Sequence, residues 1–214
     1  MKRTERLTVG AAATALVLLL GAAACVEGQA TSSDEPLRDC EWCGADEAPA
    51  ELDWRTTIAG ESEPGERIVV RGTVYEPDGE TPASGVILYL YHTDAEGVYP
   101  RRGDETGNAR RHGHLRGWLR TDARGRYEFR TIRPGNYPGR DAAAHIHVTV
   151  KRPDRPEDWV ASFLFADDPQ LDRDPARPNV LDPRRDEDGV WHGTRDIVLP
   201  EVPCRDDSDQ AACS

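Results

Sequence analysis

Two histidines stand two residues apart in an apolar segment, AHIHVTVK, at residues 144–151. Successive side chains of a β-strand point to opposite faces, so His145 and His147 share one face while the apolar residues between and after them face the core. Two imidazoles on one rigid face supply half of a four-ligand metal site. The alternative is that one histidine faces solvent and the other forms a local hydrogen bond, and the pair alone favours that alternative.

The other histidines offer weaker patterns. Cupin barrels also use His-x-His but add a Glu a few residues later, which is absent here, so we exclude a cupin site. A second His-x-His, His112 and His114, lies in the charged segment RRGDETGNARRHGH, which we interpret as a solvated loop. His92 and His192 have no motif around them.

Short apolar segments separated by turn residues must position these groups. We expect strands in RIVVRGTVYE, GVILYLYHT, AHIHVTVK, DWVASFLF and RDIVLP, and a hairpin in GWLRTDARGRYEFRT with its turn at DARG. Residues 168–191 hold four prolines and are expected to form a long irregular loop. With 19 Gly and 16 Pro and no convincing amphipathic helix, the chain is predicted to be all-β, a single β-sandwich with Greek-key connections and long loops.

The N-terminus has the features of an export signal. Three basic residues among the first six precede an uncharged stretch, residues 7–26, in which small residues come directly before Cys25. A small-residue run that ends at a cysteine resembles the bacterial lipoprotein signal, whose cysteine becomes the lipidated first residue of the mature chain. We therefore predict an exported protein, secreted or lipid-anchored through Cys25 to the outer face of the membrane. An uncleaved signal anchor is the alternative.

Four further cysteines lie near the two ends of the chain, Cys40 and Cys43 at one end and Cys204 and Cys213 at the other. In an exported protein, disulfides are a better interpretation than a zinc site or a redox pair. Because chain termini often lie close together, we predict bridges that join the two ends. Pairing of Cys40 with Cys43 remains the alternative.

These features divide the chain of 214 residues into four segments. They are an export signal at residues 1–24, a polar tether at 25–60 with Cys40 and Cys43, the sandwich at 61–200, and a tail at 201–214 with Cys204 and Cys213. The net charge of −12 argues against nucleic acid as a partner, because a phosphate backbone would be repelled. A membrane is expected as a partner only through the lipid anchor.

The histidine pair closes a longer pattern. The chain contains Gly97-Val98-Tyr99, then TDARGRYEFRTIRPGNYP, which ends in Tyr137-Pro138, and then AHIHV. This order and spacing resemble the intradiol ring-cleavage dioxygenases, the catechol and protocatechuate dioxygenases, which place a Gly-x-Tyr, a loop Tyr and a His-x-His around one ferric ion. The resemblance spans about residues 66–170 and ends in FADDP, where the family has a similar Asp-Pro stretch.

The resemblance implies that Tyr99, Tyr137, His145 and His147 hold a non-haem Fe(III) ion. Such a site is chemically consistent, because a trivalent cation favours the phenolate form of tyrosine, and an anionic oxygen is a hard donor that suits Fe(III). By the same resemblance, the substrates are a small aromatic diol and O₂. Tyr137 would leave the metal and accept a proton from the entering diol, while the other three ligands stay in place.

Three positions depart from the family pattern. Ala142 stands where the family commonly has an Arg, three residues before the first ligand histidine. Gly139 replaces a Trp and Ser162 replaces a Gln. Arg140 is the candidate to supply the missing positive charge, so we predict a catalytic role for Arg140 beside Tyr137.

Three functional hypotheses follow. The preferred one is an exported intradiol dioxygenase that cleaves the ring of a catechol-type aromatic. The second is an exported ferric-iron or catechol-binding lipoprotein with little or no turnover. The third is a metal-free sandwich of the transthyretin-like kind that binds a partner.

Overall fold

The fold is built from β-strands, in which successive side chains point to opposite faces. The computed structural model describes residues 40–172 and 176–201. This part of the chain contains eleven strands, one 3-10 turn at Ala45–Glu47 and one short helix, α1 (Ala109–His112). The strands are β1 (Arg55–Thr57), β2 (Arg67–Tyr75), β3 (Ile87–Tyr91), β4 (Arg116–Arg120), β5 (Arg126–Ile132), β6 (His145–Lys151), β7 (Glu157–Phe165), β8 (Val180–Leu181), β9 (Arg184–Arg185), β10 (Trp191–Thr194) and β11 (Ile197–Val198).

The strands form two sheets that enclose one main core. The first sheet has the order β1-β5-β2-β10-β9, with β11 also paired to β2, and the second has the order β4-β3-β6-β7-β8. Alternation along β6 shows how the core is filled: Ile146, Val148 and Val150 are fully buried and belong to the same apolar cluster as Val70 and Phe129 of the first sheet. Each such side chain stabilises the fold by about 1.5–3 kcal/mol. The predicted all-β sandwich is confirmed.

The segment predicted as a hairpin instead crosses from one sheet to the other. A tight turn does form, because the Gly125 N–H donates to the Asp122 carbonyl (2.9 Å). The flanking strands then part, since β4 pairs with β3 in the second sheet and β5 pairs with β2 and β1 in the first. The hairpin prediction is wrong because an alternating pattern around a turn is the same whether the second strand pairs with the first or with another sheet.

Residues 40–60 are built into the sandwich, although the sequence indicated a tether that ended at residue 60. Strand β1 pairs in parallel with β5, and the backbone N–H groups of Gly44 and Ala45 donate to the Glu157 carboxylate. The sandwich therefore begins before residue 61. In the same way, the region 168–191 is not wholly irregular, because it contributes β8, β9 and the first residue of β10.

The cysteine pairing also differs from the prediction. Cys40 is disulfide-bonded to Cys43, with their Cα atoms 5.4 Å apart. The bridges predicted from these two cysteines to the C-terminal end are therefore wrong, because each sulfur already has its partner inside one tight turn. The export signal at residues 1–24, Cys25, Cys204 and Cys213 lie outside the described residues. Within residues 40–172 and 176–201, no helix has the length and apolar character needed to cross a bilayer.

One glycine in the first sheet lies directly against a neighbouring backbone. A Cβ atom built on Gly72 would be 1.7 Å from the carbonyl oxygen of Arg195, and that oxygen also accepts a hydrogen bond from the Tyr127 hydroxyl (2.6 Å). Only a residue without a side chain allows β2 to pack here.

We expect Gly72→Ala to lower the free energy of unfolding by about 2–3 kcal/mol, because the added methyl group must push the Arg195 carbonyl away from the Tyr127 hydroxyl. Gly60→Ala is the matched control, since a Cβ at Gly60 meets nothing within 4 Å, and we expect a change of no more than about 0.5 kcal/mol. Urea denaturation of the two variants measures both values. Equal stability of the two variants would contradict the packing argument.

His92, which follows β3, is fully buried. Its Nδ1 donates to the Thr93 carbonyl (2.7 Å), so its Nε2 accepts from the Thr131 hydroxyl (2.6 Å). Burial lowers the pKa of His92 to about 4, because the charged imidazolium would lose its hydration. An unfolded histidine takes up a proton near pH 6.5, so acidification below that value favours the unfolded chain until the folded pKa is reached.

Between pH 7 and pH 4.5 we expect the wild-type protein to lose about 2–3 kcal/mol more unfolding free energy than His92→Gln, which has no titrating ring. Denaturation curves of both proteins at the two pH values give the comparison. Parallel losses in the two proteins would show that His92 titrates normally in the folded state.

Candidate metal centre

Strand β6 presents His145 and His147 on the face opposite the core, as the alternation requires. The pairing of β6 with β7 shifts register between Ile146 and Val148, where two residues of β7, Ala161 and Ser162, lie opposite His147, so β7 bulges beside this histidine. A bulge of this kind redirects a side chain locally. The two Nε2 atoms lie 3.0 Å apart, and both face the same point in space.

Two loops bring tyrosines to these histidines. Tyr99 belongs to the loop after β3 and Tyr137 to the loop between β5 and β6. The loops touch at Gly97, where φ is +81° and a Cβ atom would lie 1.8 Å from the Asn136 carbonyl oxygen. The Gly135 N–H, which donates to the Asp94 carbonyl (2.8 Å), adds a second link between the loops.

Asp168 ties the Tyr137 loop to the start of β6. Its carboxylate accepts hydrogen bonds from the Asn136 side chain (3.0 and 3.2 Å) and from the Ala144 N–H (2.8 Å). Asp168 is the second aspartate of the FADDP segment, which closed the sequence pattern. Its hydrogen bonds explain how a residue outside the centre helps to place two of the groups within it.

Four polar atoms converge as a result. The Tyr99 and Tyr137 hydroxyls are 2.7 Å apart, and the Tyr137 hydroxyl is 3.3 Å from the Nε2 atoms of both His145 and His147. Ligands that share one ion at bond lengths of about 2.0–2.2 Å lie about 3 Å from one another. The structure therefore brings together all four residues that the sequence singled out as metal ligands, at spacings that suit one ion.

The surroundings set the protonation of the histidines. His145 Nδ1 donates to the Ala143 carbonyl (2.7 Å), which leaves the lone pair of its Nε2 directed at the convergence point. His147 Nδ1 lies 3.4 Å from the Ser162 hydroxyl. Burial lowers the pKa of His147 well below the usual range, so the ring is neutral, as a metal ligand must be.

The Tyr99 phenol requires a nearby positive charge before it can ionise. Burial raises the pKa of Tyr99, because a phenolate would lose its hydration there, and the neighbouring Tyr137 raises it further. A bound cation reverses this effect by supplying the opposite charge at contact distance. Across residues 40–172 and 176–201, no group of three or more His, Cys, Asp or Glu side chains could hold a metal ion.

A cleft of about 640 Å³, the main cleft, opens onto these four residues. Arg140, proposed from sequence to supply positive charge, lies in its wall, with its guanidinium carbon 5.7 Å from the centre of the Tyr137 ring. A smaller cavity of about 260 Å³, the side cavity, shares His145, His147 and Trp159 with the main cleft and is also lined by Ala142 and Ser162, two of the departures from the family pattern. The remaining lining residues of the main cleft are Glu41, Trp42, Tyr91, Arg111, His112 and Trp159.

His112 is part of this wall, so the prediction of a solvated loop is wrong for it. The residue ends helix α1, is 4% exposed and stacks on Tyr91 with ring centres 3.7 Å apart. Its Nε2 donates to the Glu41 carbonyl (2.7 Å), and its Nδ1 therefore accepts from the Tyr89 hydroxyl (2.7 Å). Burial lowers the pKa of His112 to about 4. The charged residues around His112 suggested exposure to solvent. Its actual partners, Glu41 and Tyr89, are distant in sequence, so the local pattern could not indicate these contacts.

Tyr91 was also missed as a site residue. It lies directly across from His147 in the pairing of β3 with β6, and the two rings stack with centres 4.5 Å apart. A usable signal was present in the sequence, because Ile87, Tyr89 and Tyr91 form the outward face of their strand, the face to which His145 and His147 belong in β6.

The family model described as Dioxygenase matches residues 44–184 of the chain. The chain is 32% identical over 148 residues to the protocatechuate 3,4-dioxygenase beta chain of Burkholderia cepacia, an alignment that covers 66% of this chain and 63% of that protein. It is 41% identical over 70 residues to catechol 1,2-dioxygenase 1 of Acinetobacter lwoffii, over 33% of this chain and 22% of that protein. The chain thus spans less than two thirds of the length of each of these relatives.

Solved structures of dioxygenases also resemble this chain. The dioxygenase domain of a dioxygenase carbohydrate-binding protein fusion from Streptomyces sp. SirexAA-E superposes with a TM-score of 0.55 at 30% identity, covering 71% of this chain and 90% of that one. Catechol 1,2-dioxygenase from Acinetobacter sp. ADP1, at 18% identity and a TM-score of 0.55, shares the fold over 76% of this chain and 61% of its own. With a family model that matches well over half of the chain, this protein belongs to the intradiol dioxygenase family.

Proposed function

We propose that this protein is a non-haem Fe(III)-dependent intradiol dioxygenase that opens the ring of a catechol-type aromatic with O₂. The observation that carries the proposal is a cluster of two phenol oxygens and two imidazole nitrogens in an open cleft, in which the Tyr137 oxygen lies 2.7–3.3 Å from the other three atoms and the two nitrogens are 3.0 Å apart. A purely structural cluster would have no need for an adjoining cleft of this size.

The donor set fits ferric iron. Two phenolates would offset two of the three positive charges of Fe(III), and the two imidazoles are neutral donors. When bound, Fe(III) supplies the Lewis acidity that lets a catechol bind as its dianion and react with O₂, and both atoms of O₂ end in the two carboxyl groups of the ring-opened product. Tyr99, His145 and His147 are proposed to hold the ion throughout.

Tyr137 is proposed to move the first proton. Its hydroxyl oxygen is within 3.3 Å of the Tyr99 hydroxyl and of both histidine nitrogens, so a diol oxygen that takes its place would lie beside the other three proposed ligands. As a tyrosinate, its Oη takes a proton from one hydroxyl of the diol, and the proton of the other hydroxyl passes to solvent in the open cleft. The guanidinium of Arg140, beside the Tyr137 ring, stabilises negative charge at this edge of the cleft.

We further propose that the protein acts outside the cytoplasm. The basic and apolar character of residues 1–24 and the position of Cys25 support an exported protein, secreted or lipid-anchored at Cys25. The disulfide between Cys40 and Cys43 agrees with an oxidising compartment. The substrate would then be met outside the cytoplasm.

The proposal is tested by loading the protein with Fe(III) and adding catechol. We expect a red-brown protein from phenolate-to-iron charge transfer, a shifted band with catechol, and uptake of one O₂ per catechol with formation of a dicarboxylic acid. A colourless protein without iron after reconstitution would overturn the metal centre. Iron and catechol binding without O₂ uptake would favour the iron- or catechol-binding alternative.

The two tyrosines should differ in the substrate complex. We expect Tyr137→Phe to bind iron and catechol but to turn over at least about 100-fold more slowly, because it has lost a proton acceptor. Tyr99→Phe should lose the phenolate band that remains when catechol is bound. Visible spectra under nitrogen and rates under air measure both effects, and identical spectra of the two variants with catechol would refute the assignment.

Ala142 allows the missing positive charge to be restored. Ala142 lines the side cavity together with His145 and His147, so that cavity offers space for a longer side chain beside the two proposed ligands. We expect Ala142→Arg to raise kcat about tenfold with little change in KM, since the charge it stabilises develops only during the reaction. Ala142→Gln is the matched uncharged control. A kcat in the folded, iron-loaded Arg variant no higher than that of the Gln variant would count against the idea.

A further inference from the structure

The wall of the main cleft includes a small ring closed by the Cys40–Cys43 disulfide. The two residues inside this ring, Glu41 and Trp42, both line the cleft. The family match begins at residue 44, so the ring lies just outside the part of the chain that resembles the family model. We propose that this disulfide ring determines substrate specificity, and that Trp42 stacks on a second planar aromatic group carried by the catechol. The inference rests on the proposed function.

The size of the cleft favours a substrate larger than one ring. Pockets of about 300–1,000 Å³ typically bury ligands of drug size, and the main cleft, at about 640 Å³, is in the middle of that range. A simple catechol bound at Tyr99 and the two histidines fills only the floor of such a space. The rest of the cleft is therefore available to a substituent on the ring.

Aromatic side chains are concentrated where that substituent would lie. Trp42 is half-buried and packs against the apolar pair Trp159 and Ala161, and Trp159 lines the cleft as well. Because Trp159 is almost fully buried, the half-buried indole of Trp42 is the flat, weakly polar surface that a substituent can reach here. A planar aromatic group is the substituent that gains most from such a surface, because offset or edge contacts between rings add to the burial of apolar area.

On the side facing the metal centre, a hydrogen bond to its backbone holds the disulfide ring in place. The Glu41 carbonyl accepts a hydrogen bond from His112 Nε2 (2.7 Å). His112 stacks on Tyr91, and Tyr91 stacks on His147, with ring centres 3.7 and 4.5 Å apart. The disulfide ring is thus joined to a proposed iron ligand through two consecutive ring stacks.

The residues that follow the ring are anchored equally well. The Glu157 carboxylate accepts from the N–H groups of Gly44 (2.9 and 3.1 Å) and Ala45 (3.0 Å), and the Trp118 indole donates to the Gly44 carbonyl (2.7 Å). The backbone of Gly44 lies against Tyr89 so closely that a Cβ atom would be 2.2 Å from its ring. With one end held here and the other closed by the disulfide, Trp42 has little freedom to leave the cleft.

The test compares three ligands on the full iron-loaded protein: catechol, 4-phenylcatechol and 4-tert-butylcatechol. Dissociation constants are measured by titrating the visible band under nitrogen, so that no turnover occurs. We expect 4-phenylcatechol to bind about fivefold to tenfold more tightly than catechol, and 4-tert-butylcatechol, which is apolar but not planar, to gain less. Trp42→Ala should remove the advantage of 4-phenylcatechol and leave the catechol Kd within about twofold, whereas Trp42→Phe should keep part of it.

Two further variants test whether the preference for 4-phenylcatechol depends on the disulfide ring or is affected by the loss of any indole. Cys40→Ser/Cys43→Ser should keep the iron and the catechol Kd but lose most of the preference for 4-phenylcatechol. Trp54→Ala, which removes an indole that stacks on Arg55 and does not line the cleft, should keep that preference.

The outcomes distinguish failure of this specificity role from failure of the proposed dioxygenase function. Normal catechol binding with no preference for 4-phenylcatechol, or a Trp42→Ala variant that weakens all three ligands equally, would overturn the role of Trp42. An unchanged preference in the double cysteine variant would overturn the role of the disulfide. Failure to bind iron or catechol at all would overturn the proposed function itself and this inference with it.

Discussion

The site depends on one backbone contact, the approach of Gly97 to the carbonyl group of Asn136. Tyr99 and Tyr137 are 38 residues apart in sequence, yet their hydroxyl oxygens are 2.7 Å apart in space. This distance is possible only if the loops that carry them lie in van der Waals contact, and a side chain at position 97 would occupy the position of the Asn136 carbonyl. The rigid strand β6 then supplies the two nitrogens, and the cleft forms above the point where the three segments meet.

Burial controls the ionisation of side chains in this site. Burial keeps the His147 imidazole neutral and the Tyr99 phenol uncharged, within a chain whose net charge is −12. Four polar atoms are packed together in this cluster. A cation among them would allow the phenols to ionise and would turn mutual repulsion of lone pairs into coordination. The acidic chain and the electron-rich donor set both favour a positive ligand, whereas Arg111 and Arg140 in the cleft wall favour an anionic form of the proposed substrate.

Local patterns predicted much of this arrangement, and contacts remote in sequence account for the rest. Alternation identified β2, β3, β6 and β7, and the spacing of two residues placed His145 and His147 on one face. Long-range pairing could not be foreseen, so β4 and β5 were joined in a hairpin that the structure divides between two sheets. His112 was misjudged for the same reason, since its partners Glu41 and Tyr89 lie 71 and 23 residues away. The cysteines were assigned to remote partners when a local one was available.

The parallel pairing of β2 with β10 and β11 has a consequence for how the chain folds. Residues of β2 find their partners more than 120 positions later, for example Ile68 opposite Trp191 and Val74 opposite Ile197. Contacts of such high sequence separation slow folding, because most of the chain must be ordered before they form. Until residue 198 is available, β2 has one unpaired edge, which is a template for misassociation with other chains. The first sheet is therefore the part of the protein most in need of rapid completion or of a chaperone during biogenesis.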